Sequence, residues 1–332
     1  MSSYDKIAGT LYGMAIGDAL GMPSELWNRE KVKRYFGRID TFLDGPQSNE
    51  VAKYFTKGQF TDDTSQALLL LDSLIENDFA PDEAIVAKNL MAWSYKVNAF
   101  EENILGPSSK AALTAIKDKE DPSPFTSKAL TNGAAMRIAP IGCLFRPDEK
   151  EAMVDRIVTL SKVTHSTDVA YGGAAMIAMS VSAAIEDDDW DTIMEKAIEV
   201  YSIAEQKGSL TFSASIPERL RLGMLYAKEL ANDEEAFSQK IYDVIGTGTM
   251  TSESVPAALT IAYYAKDPKR CALLCANLGG DTDTIGAMAT AICGAKAGFH
   301  GLPQEWVKVI DQYNEQSIQS YVDRIVNQLK KG

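Results

Sequence analysis

Two short acidic stretches hold the densest chemistry in the chain: Thr61-Asp62-Asp63-Thr64 and, more than two hundred residues later, Asp281-Thr282-Asp283-Thr284. Each follows glycine (Gly58, then Gly279-Gly280), and each opens a long apolar segment that reads as a helix. Carboxylates and hydroxyls are hard oxygen donors. If the two starts meet in space, they form a pocket suited to Mg²⁺ or Mn²⁺. Helix capping is the competing reading, since Thr or Asp at the N-cap and an acid in the first turn offset orphan N–H groups and the helix dipole. One cap and one acid would satisfy that need, whereas adjacent acids repel each other without a cation. On spacing alone both readings stand.

Helices must position these residues, because helical spacing of apolar side chains is nearly continuous and strand-like alternation is scarce. The first helix is expected over residues 4–20. Gly9, Gly13, Gly17 and Gly21 line one stripe of it, so another backbone or a ligand should approach that face closely. Each such glycine costs about 1 kcal/mol against alanine. Residues 37–60 are irregular and long enough to suggest a lid or binding loop. Pro107 is placed to start a helix after the turn at Asn103. Helices should follow over 149–164, 167–186, 190–206, 216–230, 233–244, 253–266, 268–277, 282–298, 303–312 and 317–330. No linker or repeat divides the chain, so residues 1–332 are expected to form a single all-α domain.

A net charge of −13 argues against nonspecific nucleic-acid binding, which needs a basic surface. Residues 169–185 carry no charge over about the minimum length of a membrane span. Gly172, Gly173 and the flanking Asp168 and Glu186 favour a buried core helix instead, and no membrane role is expected. The start has no signal-peptide pattern. Cys271 and Cys275 share a helical face rather than a metal knuckle, and with only two histidines a zinc site is not expected. Together with Cys143 and Cys293 they read as free thiols of a reducing cytoplasm.

Gly-Gln-Phe-Thr-Asp-Asp-Thr (58–64) and Leu-Gly-Gly-Asp-Thr-Asp-Thr-Ile-Gly (278–286) resemble the two signature motifs of the ADP-ribosylglycohydrolase family. The stretch 13–21 with Pro23 and Glu25, Asn132-Gly133-Ala134-Ala135-Met136-Arg137, Thr164-His165, and Gly246-Thr247-Gly248 before Ser254-Val255-Pro256 match as well. The matches keep the family's order from residue 8 to about residue 299. The resemblance implies an all-α orthogonal helical bundle with a binuclear Mg²⁺ cleft, Mn²⁺ being an alternative. It implies Thr61, Asp62, Asp63, Asp281, Asp283 and Thr284 as ligands, with Thr64 and Thr282 turned to helix caps.

The implied reaction is hydrolysis at the anomeric carbon of a ribose, through an oxocarbenium-like transition state. Glu25, on the loop leaving the first helix, is the catalytic carboxylate on this reading, and Asp283 shares the base role. Gly106, Ser108, Asn132, Gly133 and His165 are the substrate contacts it implies. Arg137 is expected to pair with an acid inside the fold rather than with phosphate. The chain departs from the family at Thr131, where many members have glycine, and at Asn103, where some arginine-specific members carry an acid. The resemblance implies an ADP-ribosylated protein as substrate, arginine-linked in the usual case, and the two departures keep a second reading open. The alternatives are hydrolysis of a small nucleoside-like or nucleotide-like ribosyl compound, or a noncatalytic relative that is an ADP-ribose binder or a crystallin-like structural protein.

Overall fold

Glycine at every fourth position of one helix meets small residues at every fourth position of another, and this seam organises the fold. The computed structural model describes residues 3–102 and 104–331. In it the helix Ser3–Gly21 lies antiparallel to the helix Thr282–Ala297, with Gly9, Gly13, Gly17 and Gly21 against Gly294, Thr290, Gly286 and Thr282. The approach is closest at two crossings: a Cβ on Gly17 would stand 2.0 Å from the Gly286 carbonyl oxygen, and one on Gly294 2.0 Å from the Gly9 carbonyl oxygen. Of the two partners allowed by the stripe, it is backbone that arrives. Because the pair is antiparallel, the end of the first helix and the start of the second lie side by side, which brings Asp18 and Glu25 to the second acidic stretch.

The described residues form an all-α structure with no sheet; the extended contacts are three isolated bridges. Two of these stitch loops around the acidic stretches, Trp27 to Gly280 and Thr131 to Met250. The helices Lys150–Ser161, Asp168–Ile185, Trp190–Ala204, Ile216–Glu229, Pro268–Ala276 and Ile318–Leu329 follow the apolar periodicity to within a few residues. The segment expected as one helix over 233–244 instead runs as Glu234–Lys240 and then widens into a π turn, Ile241–Ile245, which ends at Gly246 with φ +88°.

Asp168–Ile185 is long and apolar enough to cross a membrane, yet 94% of it is buried in the protein. Gly172 packs on the Tyr201 ring and Gly173 on Thr251, so small residues admit close neighbours there too. The 37–60 segment holds one short 3-10 turn, Ala52–Tyr54. It is anchored rather than loose: Ile39, Phe42 and Ala52 are buried, and the Asn49 amide donates to the Glu25 carbonyl at 2.9 Å.

Candidate metal centre and substrate cleft

The helix Asp62–Glu76 starts without help from its own N-cap side chain, Thr61. Asp18 performs that task from the first helix. Its carboxylate accepts from the Thr61 N–H (2.9 Å), the Thr64 N–H (3.0 Å) and the Thr64 hydroxyl (2.6 Å). The Thr61 hydroxyl and the Asp62 and Asp63 carboxylates are therefore free of capping duty. The second start likewise spares its N-cap side chain. Asp281 makes no side-chain cap, and the Thr282 hydroxyl donates to the Gly21 carbonyl (2.9 Å) while accepting from Ser24 (3.0 Å). Thr64 and Thr282 are structural, as expected, but they anchor to the first helix instead of capping their own.

The two starts meet. The Thr61 hydroxyl lies 3.1 Å from Asp63 Oδ2 and 3.4 Å from Asp283 Oδ2. Glu25, Asp281 and Asp283 each offer a carboxylate oxygen within 4.8 Å of the others. Asp63 Oδ1 and Asp283 Oδ1 are buried with no hydrogen-bond partner, the two carboxylate oxygens so placed among the described residues. Buried carboxylate oxygens are ordinarily paired or bound to metal. This oxygen-only donor set, orphaned and convergent, fits a hard divalent cation. Thr284 lines the same cleft.

The cost of the arrangement shows in its acid–base character. Burial, reinforced by Asp18 and Asp281, raises Asp62 to about 8. Burial lifts Asp18 and Asp281 to about 6, against the pull of their hydrogen bonds. Glu25, Asp63 and Asp283 are pushed well above the usual carboxylate range by burial and then by neighbouring charges, Asp281 first for Glu25, Asp18 for Asp63 and Glu25 for Asp283. Protons or cations must neutralise the cluster.

A cavity of about 380 Å³ opens over these acids, walled on its far side by Gly106, Ser109, Thr131, Asn132 and Gly133. Asn132 donates to Asp281 Oδ2 (2.6 Å) and to the Ser254 hydroxyl (2.9 Å), which ties that wall to the second acidic start. Ser109, not the expected Ser108, faces the cavity. Ser108 sits behind it and accepts from the Thr131 hydroxyl at 2.8 Å. His165 also departs from expectation. It is completely buried, with Nδ1 2.9 Å from the Thr164 hydroxyl and Nε2 3.0 Å from the Thr131 hydroxyl. A Cβ on Gly133 would come within 2.6 Å of its ring, so the histidine supports the loop from beneath and leaves substrate contact to the loop itself. Burial and the Arg137 charge depress it to about 3, which keeps the ring neutral.

Arg137, also fully buried, donates to Gln66 Oε1 and to the Thr164 hydroxyl, both at 2.7 Å. Its partners are an amide and a hydroxyl, not the acid expected from sequence. Asn103 lies outside the described residues. Asp18, Gln66 and Ser109 were missed from sequence. The one local signal for Asp18 was a lone carboxylate late in an otherwise apolar, glycine-striped helix.

A second cavity, about 440 Å³, adjoins the first at Asp62 and Ile104 and is walled by Tyr54, Phe55, Trp93 and Tyr313.

The sequence profile of the ADP-ribosylglycohydrolase family matches residues 1–332. The chain is 44% identical over 318 residues to the protein YegU of Escherichia coli (strain K12), covering 96% of this chain and 95% of that one. It is 26% identical to the ADP-ribosylarginine hydrolase Tri1 of Pseudomonas putida (strain GB-1), covering 96% of this chain and 78% of that one. A solved structure titled "ADP-ribosylglycohydrolase-related protein complex" superimposes with a TM-score of 0.70 at 22% identity, over 98% of both chains, and shares the fold. A family profile over the whole chain and a fold shared from end to end agree: this protein belongs to the ADP-ribosylglycohydrolase family, and it is a glycohydrolase with an acidic cluster able to hold metal.

Proposed function

We propose that the protein is a divalent-metal-dependent hydrolase that cleaves the ribosyl C1 linkage of ADP-ribosylated substrates, with ADP-ribosyl-arginine as the preferred type. The observation that carries this reading is the pair of orphaned carboxylate oxygens on Asp63 and Asp283, converging from two helix starts on one cleft. Thr61, Asp62, Asp63, Asp281, Asp283 and Thr284 would hold two Mg²⁺ ions, with Mn²⁺ accepted by the same oxygen donors. Bound there, the cations supply Lewis acidity toward the ribose hydroxyls and a water.

The remaining chemistry belongs to the chain. Glu25, partly exposed on its loop and grouped with Asp281 and Asp283, is placed to take a proton from water as its oxygen bonds to C1. The C1–nitrogen bond breaks, and the proton taken from water ends on the leaving nitrogen. Asn132 orients Asp281, and the 131–133 loop supplies the wall against which the rest of the substrate lies. Similarity to the arginine-directed Tri1 supports the choice of linkage. Four buried free cysteines agree with a cytoplasmic setting.

A second reading keeps the bond and changes the substrate to a small N-ribosyl compound. The aromatic-walled cavity beside Asp62 favours it, because it can seat a nucleobase next to the acids. Incubation with Mg²⁺ and either ADP-ribosyl-arginine or a panel of ribonucleosides separates the two. Release of ADP-ribose that disappears in Asp283→Ala supports the first reading, and release of ribose alone replaces it with the second. Neither product from either substrate would reject both.

A further inference from the structure

Arg137 is a buried charge that touches no carboxylate, and that position has a use. An arginine can only donate hydrogen bonds. One of its NH₂ groups donates to Gln66 Oε1, which fixes the amide so that Gln66 Nε2 must donate onward, and it does so to Asp62 Oδ2 at 2.8 Å. The other NH₂ donates to the Thr164 hydroxyl. That hydroxyl keeps its own proton for His165 Nδ1, 2.9 Å away, and donating it there would leave the imidazole proton on Nε2. The Nε2–H donates to the Thr131 hydroxyl, which itself donates to Ser108. Donor direction read inward from Thr131 and outward from Arg137 agrees at the histidine. Every side chain between Asp62 and Thr131 along this path is fully buried, so water does not compete for the bonds.

We propose that Arg137 is a positioning residue that sets both walls of the cleft at once, orienting Asp62 through Gln66 and the 131–133 loop through Thr164 and His165. The Asp62 arm rests on the metal reading given above; the His165 arm does not. The two arms separate experimentally, because each has one replaceable link.

In Gln66→Met the bond to Asp62 is lost and the Thr164 side is kept; in Thr164→Val the reverse holds. Calorimetric titration with Mn²⁺ reads the first arm. Loss of an outer-sphere partner is expected to weaken binding at least about tenfold in Gln66→Met, with Thr164→Val unchanged. Nitrogen-15 NMR of the imidazoles reads the second arm, and with two histidines in the chain, His300→Gln assigns the signals. Native protein and Gln66→Met should show His165 protonated on Nε2, and Thr164→Val should shift the resonance of the unprotonated Nδ1, which loses its hydrogen-bond donor. Arg137→Met should show both defects, and if it fails to fold the two single-link variants decide. The proposal is overturned if native His165 carries its proton on Nδ1, or if neither variant changes the readout of its own arm. A native chain that binds no Mn²⁺ would sink the metal reading, and the tautomer would still judge Arg137.

Discussion

The two acidic helix starts are near copies in sequence and are held in opposite ways. The first is held by a charge: three bonds from residues 61 and 64 converge on the buried Asp18 carboxylate. The second is held by backbone. The Asp281 N–H donates to the Thr247 carbonyl (2.7 Å), the Gly280 N–H to Trp27 (2.8 Å), and the Leu26 N–H to Gly280 (2.7 Å). A charge-held element answers to pH and to cations; a backbone-held one answers to steric fit. The cleft thus has one adjustable wall and one fixed wall, both mounted on the glycine seam.

The fixed wall breaks hardest. Gly280 has φ +90°, and a Cβ on it would stand 2.2 Å from the Thr247 carbonyl oxygen. Gly280→Ala adds backbone strain to overpacking and should cost about 4 kcal/mol, seen as a large fall in Tm. Asp18→Ala removes three charge-assisted bonds but also relieves repulsion toward Asp62 and Asp63. Its net cost should be smaller, about 2 kcal/mol, measured by denaturant unfolding. A larger loss from Asp18→Ala than from Gly280→Ala would invert the comparison.

Metal-free stability tests the charge-held wall directly. Folded Asp62 keeps its proton to about pH 8, while the unfolded carboxyl releases it near the ordinary 3.8. Between those values the folded state binds more protons, so stability falls as pH rises. His165 acts with the opposite sign, gaining stability as pH rises from about 3 toward 6.5, and it stops contributing above that. Between pH 6.5 and 8 Asp62 is joined by Glu25, Asp63 and Asp283, all raised and all of one sign, against the Cys271 thiol, which is held down at about 5 and opposes them. There the Tm of metal-free protein should fall with pH, and saturating Mg²⁺ should flatten the slope as cations take the place of protons. A flat metal-free profile would contradict the burial cost assigned to the acids.

Much of this was legible in the chain because it is local. Four-residue glycine spacing predicted the seam, apolar periodicity placed the helices, and surplus carboxylates marked both starts. What was not legible depends on contacts between distant segments. Asp18 reads as one more helical acid until the fold sets it under residues 61 and 64. Ser108 and Ser109 differ only by the helical phase of Pro107–Lys117. His165 is separated from the cleft by Thr131, whose hydroxyl occupies its Nε2, and by Gly133, which packs on its ring. Arg137 was expected to find an acid because a buried charge needs compensation. It reaches Asp62 instead through an amide, a route no spacing rule displays.

The smallest effects separate the threonines. Thr61 and Thr282 stand at equivalent starts, yet only the Thr61 hydroxyl points among the carboxylates. Thr282 serves Gly21 and Ser24, and Ser24 keeps a second acceptor in the Ala276 carbonyl at 2.7 Å. Thr282→Val should therefore cost about 1 kcal/mol for one buried hydrogen bond, with Mn²⁺ affinity unchanged. Thr61→Val should leave thermal stability nearly intact and weaken Mn²⁺ binding, because it deletes an oxygen from the donor set without unseating the helix that Asp18 holds. Paired melting curves and Mn²⁺ titrations of the two variants check this. Equal losses of metal affinity in both would mean that the second start is as compliant as the first, and the division into fixed and adjustable walls would fail.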